Sequence, residues 1–481
     1  MNEHRLYDNS NIESIVTYAK KLVNKTINDV LNLSEYENRL KIKDKGAVGK
    51  IIEKHWFNIE PNNSPQPDFD KVGVELKIIP LIKQKTKVAV KERTKVCSID
   101  YKKLVSESWD NSHAKEKLNK ILFIYCLYDK ENIQNSQIKK IDLWELSQGN
   151  NEFIIKGDWL TVQKKVNNGY AHELSESQCK VLAASRSGSG GKDKNGRLKD
   201  LVLQPIQTYN KEALKRSFSL KQSFTNQRWN ELNKKIKYES IIDSLEIKDF
   251  NDFETSILNK INLYQGKSLI ELSSLFNLSL TNNSKNKEAT IIKKAIGFKS
   301  VKSKIKEFEQ LGILVKTINV RKKDNYLFEN ISFPAMIFAD FEEENWEEST
   351  FKSYINKILF IPIYKEYDKA PMNEKYLGKA FFWTPSIIEE SLIRDEWIRY
   401  QNEVHIGKCK VSKIIVNSRK GYKEVSGLSK ESQTNIIHMR PHGRDSNDRD
   451  EDSLGNSIVK QCFWLNKSFM QQLINESIST K

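Results

Sequence analysis

What this sequence lacks narrows it first. No apolar run approaches the ~20 residues a bilayer-spanning helix needs, the longest being Ile121 to Tyr128. The opening Met1-Asn2-Glu3-His4-Arg5 is polar and reads as no export signal, so a soluble, cytoplasmic protein with no membrane partner is expected. There is no Cys-x-x-Cys pair. The five cysteines (Cys97, Cys126, Cys179, Cys409, Cys462) are widely spaced and odd in number, which argues against a disulfide framework and for free thiols in a reducing compartment. A P-loop is missing too: in Ser185-Arg186-Ser187-Gly188-Ser189-Gly190-Gly191-Lys192, Arg186 stands where the first glycine is required and Asp193 follows the lysine. That stretch reads as a flexible basic loop whose Lys192, with Lys194 and Arg197, either contacts phosphates or is simply solvated. Negative charge is in short supply as well. Lys and Arg number 79 against 63 Asp and Glu, a net charge of +16 with a pI near 9.2, which implies a polyanionic partner because basic side chains displace counterions from phosphates.

At 481 residues the chain has room for two or three domains. Its most informative stretch is Pro67-Asp68-Phe69-Asp70-Lys71-Val72-Gly73-Val74-Glu75-Leu76-Lys77-Ile78-Ile79-Pro80. Val72 to Ile79 alternates and is rich in β-branched residues, so it reads as a strand with Glu75 and Lys77 on one face. Asp68 stands just before it. Two carboxylates can hold a hard divalent cation, which acidifies a water and neutralises charge on a phosphoryl oxygen, while a neighbouring lysine orients the water. Glu-x-Lys is weak evidence in a chain that is 30% charged, and an edge strand with a salt bridge has the same spelling. Glu246-Ile247-Lys248, with Asp243 nearby, repeats it in a polar stretch that reads as a solvated linker.

Residues 12 to 33 carry apolar positions at helical spacing, and Lys50 to Trp56 continues as a second helix. A strand is expected over Val88 to Cys97, a helix opening at Trp109-Asp110-Asn111-Ser112-His113, a strand at Ile121 to Tyr125, and a helix starting at Asp158-Trp159. The first domain closes near Arg216 to Phe224, and Arg228 to Asp252 reads as a connection. The pattern then returns. Asn24-Lys25-Thr26-Ile27 is echoed by Gly266-Lys267-Ser268-Leu269, and Asn119-Lys120-Ile121-Leu122-Phe123-Ile124 by Asn356-Lys357-Ile358-Leu359-Phe360-Ile361. Trp109, Trp144 and Asp158-Trp159 find Trp346, Trp383 and Glu396-Trp397, while Phe218-Ser219-Leu220-Lys221 finds Phe463-Trp464-Leu465-Asn466. The tryptophans read as core packing. Two copies of one α/β fold are expected, and the second has lost its chemistry: Leu314 replaces Glu75, Ala295 falls opposite Glu53, and Tyr354 opposite Lys117. It is expected to bind and not to cut. His438 and His442 have a metal-pair spacing, but Pro441 argues against the helix this needs.

Asp68-x6-Glu75-Leu76-Lys77, the helix with Gly49 and Glu53, Trp109-x-x-Ser112-His113, Trp144, Asp158-Trp159 and Phe218-x-Leu220-Lys221-x-x-Phe224 together resemble the mismatch-repair endonuclease MutH. The two-copy layout resembles type II restriction endonucleases of the Sau-three-A type. The resemblance implies an α/β (α+β) fold of two tandem PD-(D/E)xK domains, each a mixed sheet flanked by helices: a catalytic domain at 1–232, a linker at 233–252 and an inactive DNA-binding domain at 253–481. It implies Mg²⁺-dependent cleavage of double-stranded DNA before the guanine of GATC, with the C-terminal domain binding a second site as effector. A cognate methyltransferase and a monomer that pairs or loops DNA are implied as well. Alternatives are a MutH-like nicking enzyme needing a partner protein and a non-cutting DNA-binding protein. By the resemblance, Asp68 and Glu75 are metal ligands, Lys77 the catalytic lysine, Glu53 an assisting acid and Lys117 a second active-site lysine. Arg186, Lys192 and Lys221 in the first copy, and Arg440, His442 and Trp464 in the second, are the candidate DNA contacts. Arginine can grip O6 and N7 of guanine, the physical reason for Arg186 and Arg440.

Overall fold

The structure, a computed structural model, describes residues 6–31, 46–60, 65–83, 87–129, 131–188, 193–194, 196–206, 211–234, 236–242, 245, 252–278, 287–300, 302–416 and 421–479. The chain divides into two compact units, Met1–Lys235 and Ile236–Lys481.

The first unit opens with α1 (Ile12–Lys20) and α2 (Ile27–Val30). The apolar period over 12 to 33 suggests one helix, but Asn24 takes φ +69° and Thr26 starts afresh with a capping box to Asp29. After α3 (Ala47–Ile51) the helix widens into a π-helical turn, Ile52–Trp56. A four-stranded sheet follows, in the order β2 (Val88–Val90), β1 (Glu75–Lys83), β4 (Lys120–Leu127), β5 (Gln137–Glu145). Its central pair β1–β4 is parallel, with Glu75 opposite Ile121. The expected strand over Val88 to Cys97 is two strands, since the chain leaves this sheet after Val90 and β3 (Thr94–Ser98) joins another. Helices α4 (Tyr101–Leu104) and α5 (His113–Leu118) precede β4, with the Ser112 hydroxyl capping α5. Helix α6 (Asn151–Asn167) leads to β6 (Leu182–Arg186), the ribbon β7 (Leu201–Leu203) and β8 (Glu212–Leu214), then β9 (Arg216–Leu220) and α7 (Gln222–Leu232). Strands β3, β9 and β6 form the second sheet.

The second unit begins inside the stretch expected to be linker. There β10 (Tyr238–Glu239) pairs with β11 (Lys304–Ile305), and Glu239 accepts from Lys299 N, Ser300 N and Ser303 Oγ. Polar residues there have partners within the fold, so the connection is shorter than composition suggests. Glu246-Ile247-Lys248 and Asp243 lie outside the described residues. Helices α8 (Phe253–Asn262), α9 (Leu269–Leu275), α10 (Lys287–Ile296) and α11 (Lys306–Leu311) lead to β12 (Ile313–Arg321). After β13 (Ile331–Ser332), α12 (Phe338–Glu343) and α13 (Thr350–Ile355), strand β14 (Lys357–Lys365) pairs with β12 in parallel, Leu314 opposite Ile358. Then come β15 (Tyr376–Leu377), β16 (Phe381–Trp383), α14 (Ile387–His405), the ribbon β17 (Val411–Val416) and β18 (Gly421–Ser426), β19 (Ile437–Pro441), β20 (Arg449–Glu451), β21 (Ser457–Val459), β22 (Gln461–Leu465) and α15 (Lys467–Ser479). Strands β13, β22 and β19 repeat the second sheet of the first unit.

The internal echo is thus structural. Trp109 meets Trp159 edge-on at 5.8 Å and 62°, and Trp346 meets Trp397 at 5.7 Å and 61°. All six echoed tryptophans are buried, as core packing requires. Asp158 lies in the middle of α6 rather than at its start, and its buried carboxylate accepts from the backbone N–H groups of Lys180, Val181 and Leu182 at 2.6, 2.6 and 2.7 Å. Glu396 does the same for Asn435, Ile436 and Ile437. One acid on the long helix therefore anchors the start of β6 or β19.

Asp158→Ala leaves three buried donors without an acceptor and is expected to destabilise the first unit by roughly 3 kcal/mol. Glu396→Ala is expected to do this to the second unit alone. Urea unfolding of each variant checks it, and a loss below roughly 1 kcal/mol would mean the anchor carries no weight.

Candidate metal centre

Gly73, at φ +65°, turns the chain between a 3₁₀ turn at Asp70–Val72 and β1. Phe69 and Val74 then exchange backbone bonds of 2.9 and 3.2 Å. This fold-back sets Asp68 against the strand, where its Oδ2 accepts from Leu76 N at 2.8 Å. Glu75, the first residue of β1, is 2% exposed. Its Oε1 is bonded by Lys77 Nζ and its Oε2 by Lys117 Nζ at 2.8 Å. Lys117, 7% exposed, also donates to the carbonyl of Gln66 at 2.5 Å, and His113 Nε2 meets the carbonyl of Pro65 at 3.0 Å, so α5 clamps the approach to Asp68. Neither carbonyl has a signature in the sequence.

Glu53 comes from the π-helical turn and is within electrostatic reach of Asp68, Lys77 and Glu75. Burial, then the charge of Asp68, pushes the Glu53 pKa up. Burial, then Glu75, raises that of Asp68, against the pull of Lys77 and of the Leu76 N–H. Cys97 lies close enough to feel the same lysines, but burial pushes its thiol up to about 12, so it offers no thiolate. The donors are therefore oxygens, crowded so that negative charge is disfavoured, a set that suits a hard divalent cation. Among the described residues no three such side chains already stand in ligating geometry, and Glu75 is paired with two lysines.

In the second unit Gly312 repeats the turn at φ +65°, and the strand register puts Leu314 where Glu75 stands. Lys316, in the place of Lys77, donates to the carbonyl of Ser332 at 2.5 Å and lies 5.4 Å from the centre of the Phe333 ring. Tyr354 stacks on that ring, at 6.4 Å and 15°. Ala295, opposite Glu53, is buried on α10.

The candidate DNA contacts divide. Lys192 lies outside the described residues. Lys221 is buried, and its ammonium acts on the Asp158 carboxylate. Arg186 is gripped by Asp200 through Nε and Nη2 at 2.6 and 2.9 Å, and this pair holds the Asp200 pKa down. Strand register gives its counterpart in the second unit. Leu182 faces Leu220 as Ile437 faces Leu465, so Arg440 corresponds to Ser185 and Arg186 to Pro441. In the second unit the three candidates do converge, with the exposed Arg440 5.2 Å from the Trp464 ring and His442 meeting that ring edge-on at 5.4 Å.

Asp68 and Glu53 have folded pKa values above their unfolded ones. Folding therefore retains protons, and metal-free stability falls as pH rises from the unfolded value through the folded one. At neutral pH, Asp68→Asn is expected to leave the metal-free Tm unchanged or higher and to abolish the rise in Tm that Mg²⁺ produces in the parent. Thermal melts with chelator and with Mg²⁺ check both, and a Mg²⁺ shift that survives the substitution would remove Asp68 from the metal site.

The family described as "DNA mismatch repair enzyme MutH" matches residues 57–158 and again 296–396. The type II restriction enzyme Sau3AI of Staphylococcus aureus is 26% identical over 96% of this chain and 98% of its own length. The DNA mismatch repair protein MutH of Haemophilus ducreyi is 25% identical over 46% of this chain and 92% of its own. That of Vibrio cholerae serotype O1 is 29% identical over 38% and 79%. Among the described residues no helix is long and apolar enough to cross a membrane. With the MutH segment found twice and the Sau3AI match running end to end, the chain is a homologue of the MutH and Sau3AI enzymes.

Proposed function

We propose that this chain is a metal-dependent type II restriction endonuclease that hydrolyses phosphodiesters of double-stranded DNA at GATC, cutting before the guanine. One observation carries the reading: the first unit gathers Asp68, Glu75, Lys77 and Lys117 at one strand end, while the equivalent places in the second hold Leu314 and Tyr354. Relatives that are mismatch-repair proteins align with about half the chain, whereas the restriction enzyme aligns with both units, which favours a restriction enzyme over a nicking enzyme that awaits a partner protein.

Asp68 and Glu75 would hold Mg²⁺, which supplies Lewis acidity to the phosphoryl oxygen and to the attacking water. Lys77 orients that water and offsets the charge developing on phosphorus-bound oxygen. Glu53, its pKa raised by burial, is suited to receive the water's proton. Lys117 keeps the Gln66 carbonyl and the Glu75 carboxylate at fixed separation. Water oxygen bonds to phosphorus as the bond to the departing sugar oxygen breaks. The second unit is the non-cutting partner, binding a further copy of the site through Arg440, His442 and Trp464. One chain then engages two sites, as a monomer that loops or pairs DNA, in a cell whose own sites a methyltransferase protects.

Glu75→Gln is expected to abolish plasmid cleavage, by at least about 10³-fold, while DNA affinity stays within a few-fold, because phosphate contacts elsewhere supply most of it. Undiminished cleavage would sink the centre. Replacing Mg²⁺ by Ca²⁺ is expected to preserve binding and stop cutting.

Tethering two sites on one molecule raises the effective concentration of the second encounter, so a two-site plasmid is expected to be cut faster than a one-site plasmid. Arg440→Ala should erase that difference while residual one-site cutting persists. Equal rates on both plasmids in the parent enzyme would reduce the second unit to a passive clamp.

A further inference from the structure

The two units differ most clearly where α6 and α14 hand over to the next strand. In both, a glycine at φ +77° follows the helix, Gly169 in one and Gly407 in the other, and a 3₁₀ turn, Glu176–Gln178 or Glu431–Gln433, precedes the strand. The first unit crosses from Gly169 to Glu176 with one short 3₁₀ turn, Ala171–Glu173. The second inserts the ribbon β17–β18 between Gly407 and Glu431, paired from Val411↔Ser426 to Val416↔Gly421.

The inserted sequence holds Lys410, Lys413, Arg419, Lys420 and Lys423 against a single acid, Glu424. That acid bonds at 3.0 Å to the guanidinium of Arg449, outside the ribbon, so its charge is already met and does not offset the lysines. Lys410 and Lys413 are exposed. Among the described side chains, its two large exposed apolar ones, Tyr422 at 72% and Ile414 at 48%, belong to opposite faces, because Tyr422 pairs with Ile415 while Ile414 pairs with Lys423. They make no common apolar patch of the kind a protein partner covers. Arg449 opens β20, which lies in the chain between Arg440 on β19 and Trp464 on β22, so the ion pair ties the ribbon to the segment joining those residues.

We infer that the β17–β18 ribbon is a phosphate-gripping arm for the duplex held by the second unit. This rests on the reading of that unit as DNA-binding. Lysines on a narrow ribbon with both faces exposed suit the charged walls of a groove, adding affinity that carries no sequence preference. The arm accounts for an insertion in the unit that lacks cutting residues: that unit has only to hold its DNA.

The test uses the full chain carrying Glu75→Gln, so that DNA survives, and two labelled duplexes of equal length, one with GATC and one without. Binding is followed by anisotropy from about 50 to 200 mM salt. The combined variant Lys410→Ala, Lys413→Ala, Lys423→Ala is expected to weaken both duplexes alike, by about tenfold, and to make the slope of log K against log salt shallower by two to three, about one per lost phosphate contact. Excision of 411–426, which keeps Lys410 but removes Lys413, Arg419, Lys420 and Lys423, should likewise weaken both duplexes alike, by at least as much. The excision rejoins Lys410 to Gly427, whose N–H already bonds the Lys408 carbonyl at 2.9 Å, so a β-turn closes the gap. Arg440→Ala should instead weaken the GATC duplex selectively. Unchanged affinity and slope in the lysine variant, with Arg440→Ala still losing site binding, would overturn the arm and leave the second unit's DNA binding standing. If Arg440→Ala is also without effect, the underlying reading falls. A DNA-free dimer of the parent, seen by sedimentation and lost on excision, would assign the ribbon to a second copy and overturn the proposal.

Discussion

A carboxylate taken out of water must be met by positive charge or by hydrogen-bond donors, and the first unit is organised around meeting that of Glu75. Strand β1 delivers it to the interior with its neighbour Leu76 fixed in the parallel ladder. Helix α5 brings Lys117 from one side and the strand itself brings Lys77 from the other. Asp68 arrives through a fold-back that glycine makes possible, and Glu53 through a helix that loosens as it passes. Each acid worsens the electrostatic position of the next, as the raised pKa values of Asp68 and Glu53 record. Two lysines offset part of that repulsion, and a divalent cation offsets it more completely.

The second unit meets the same demand by removing it. With Leu314 in the place of Glu75 no carboxylate stands at that point of β12, and Lys316 is satisfied by a carbonyl and the face of Phe333. Burial pushes the Lys316 pKa down, the mark of an ammonium without a carboxylate. Tyr354 and Phe333 stack beside it. The strand ladder, the tryptophan pair and the helix-borne acid persist around this replacement, because they serve packing in either unit.

The sequence revealed what short-range geometry determines. Period two put Glu75 and Lys77 together, nearness in the chain added Asp68, and the repeat exposed Leu314, Ala295 and Tyr354. It is silent where a residue's state depends on a distant partner. Nothing near Arg186 announces that Asp200 will hold it, and nothing near Lys221 announces burial beside Asp158. Pairing across β9 and β22 sets Arg440 in the place of Ser185 and Pro441 in that of Arg186, and a one-residue shift in a strand reverses the face. Asn24 divided an apparent helix because asparagine tolerates a left-handed conformation, which apolar spacing cannot report.

The acid on the long helix has a consequence for how this fold tolerates change. Because Asp158 or Glu396 seizes the backbone at the very start of the next strand, the path the chain takes to get there need not be of fixed length or shape. That path is short in one unit and carries a whole ribbon in the other, yet β6 and β19 enter their sheets in the same register. The hand-over from helix to strand is thus an accommodation point. In the first unit, where Ala171 and Leu174 are buried and the Ala171 N–H bonds Gln204, the exposed Tyr170 just before them is the place for a spectroscopic tag or an additional recognition module.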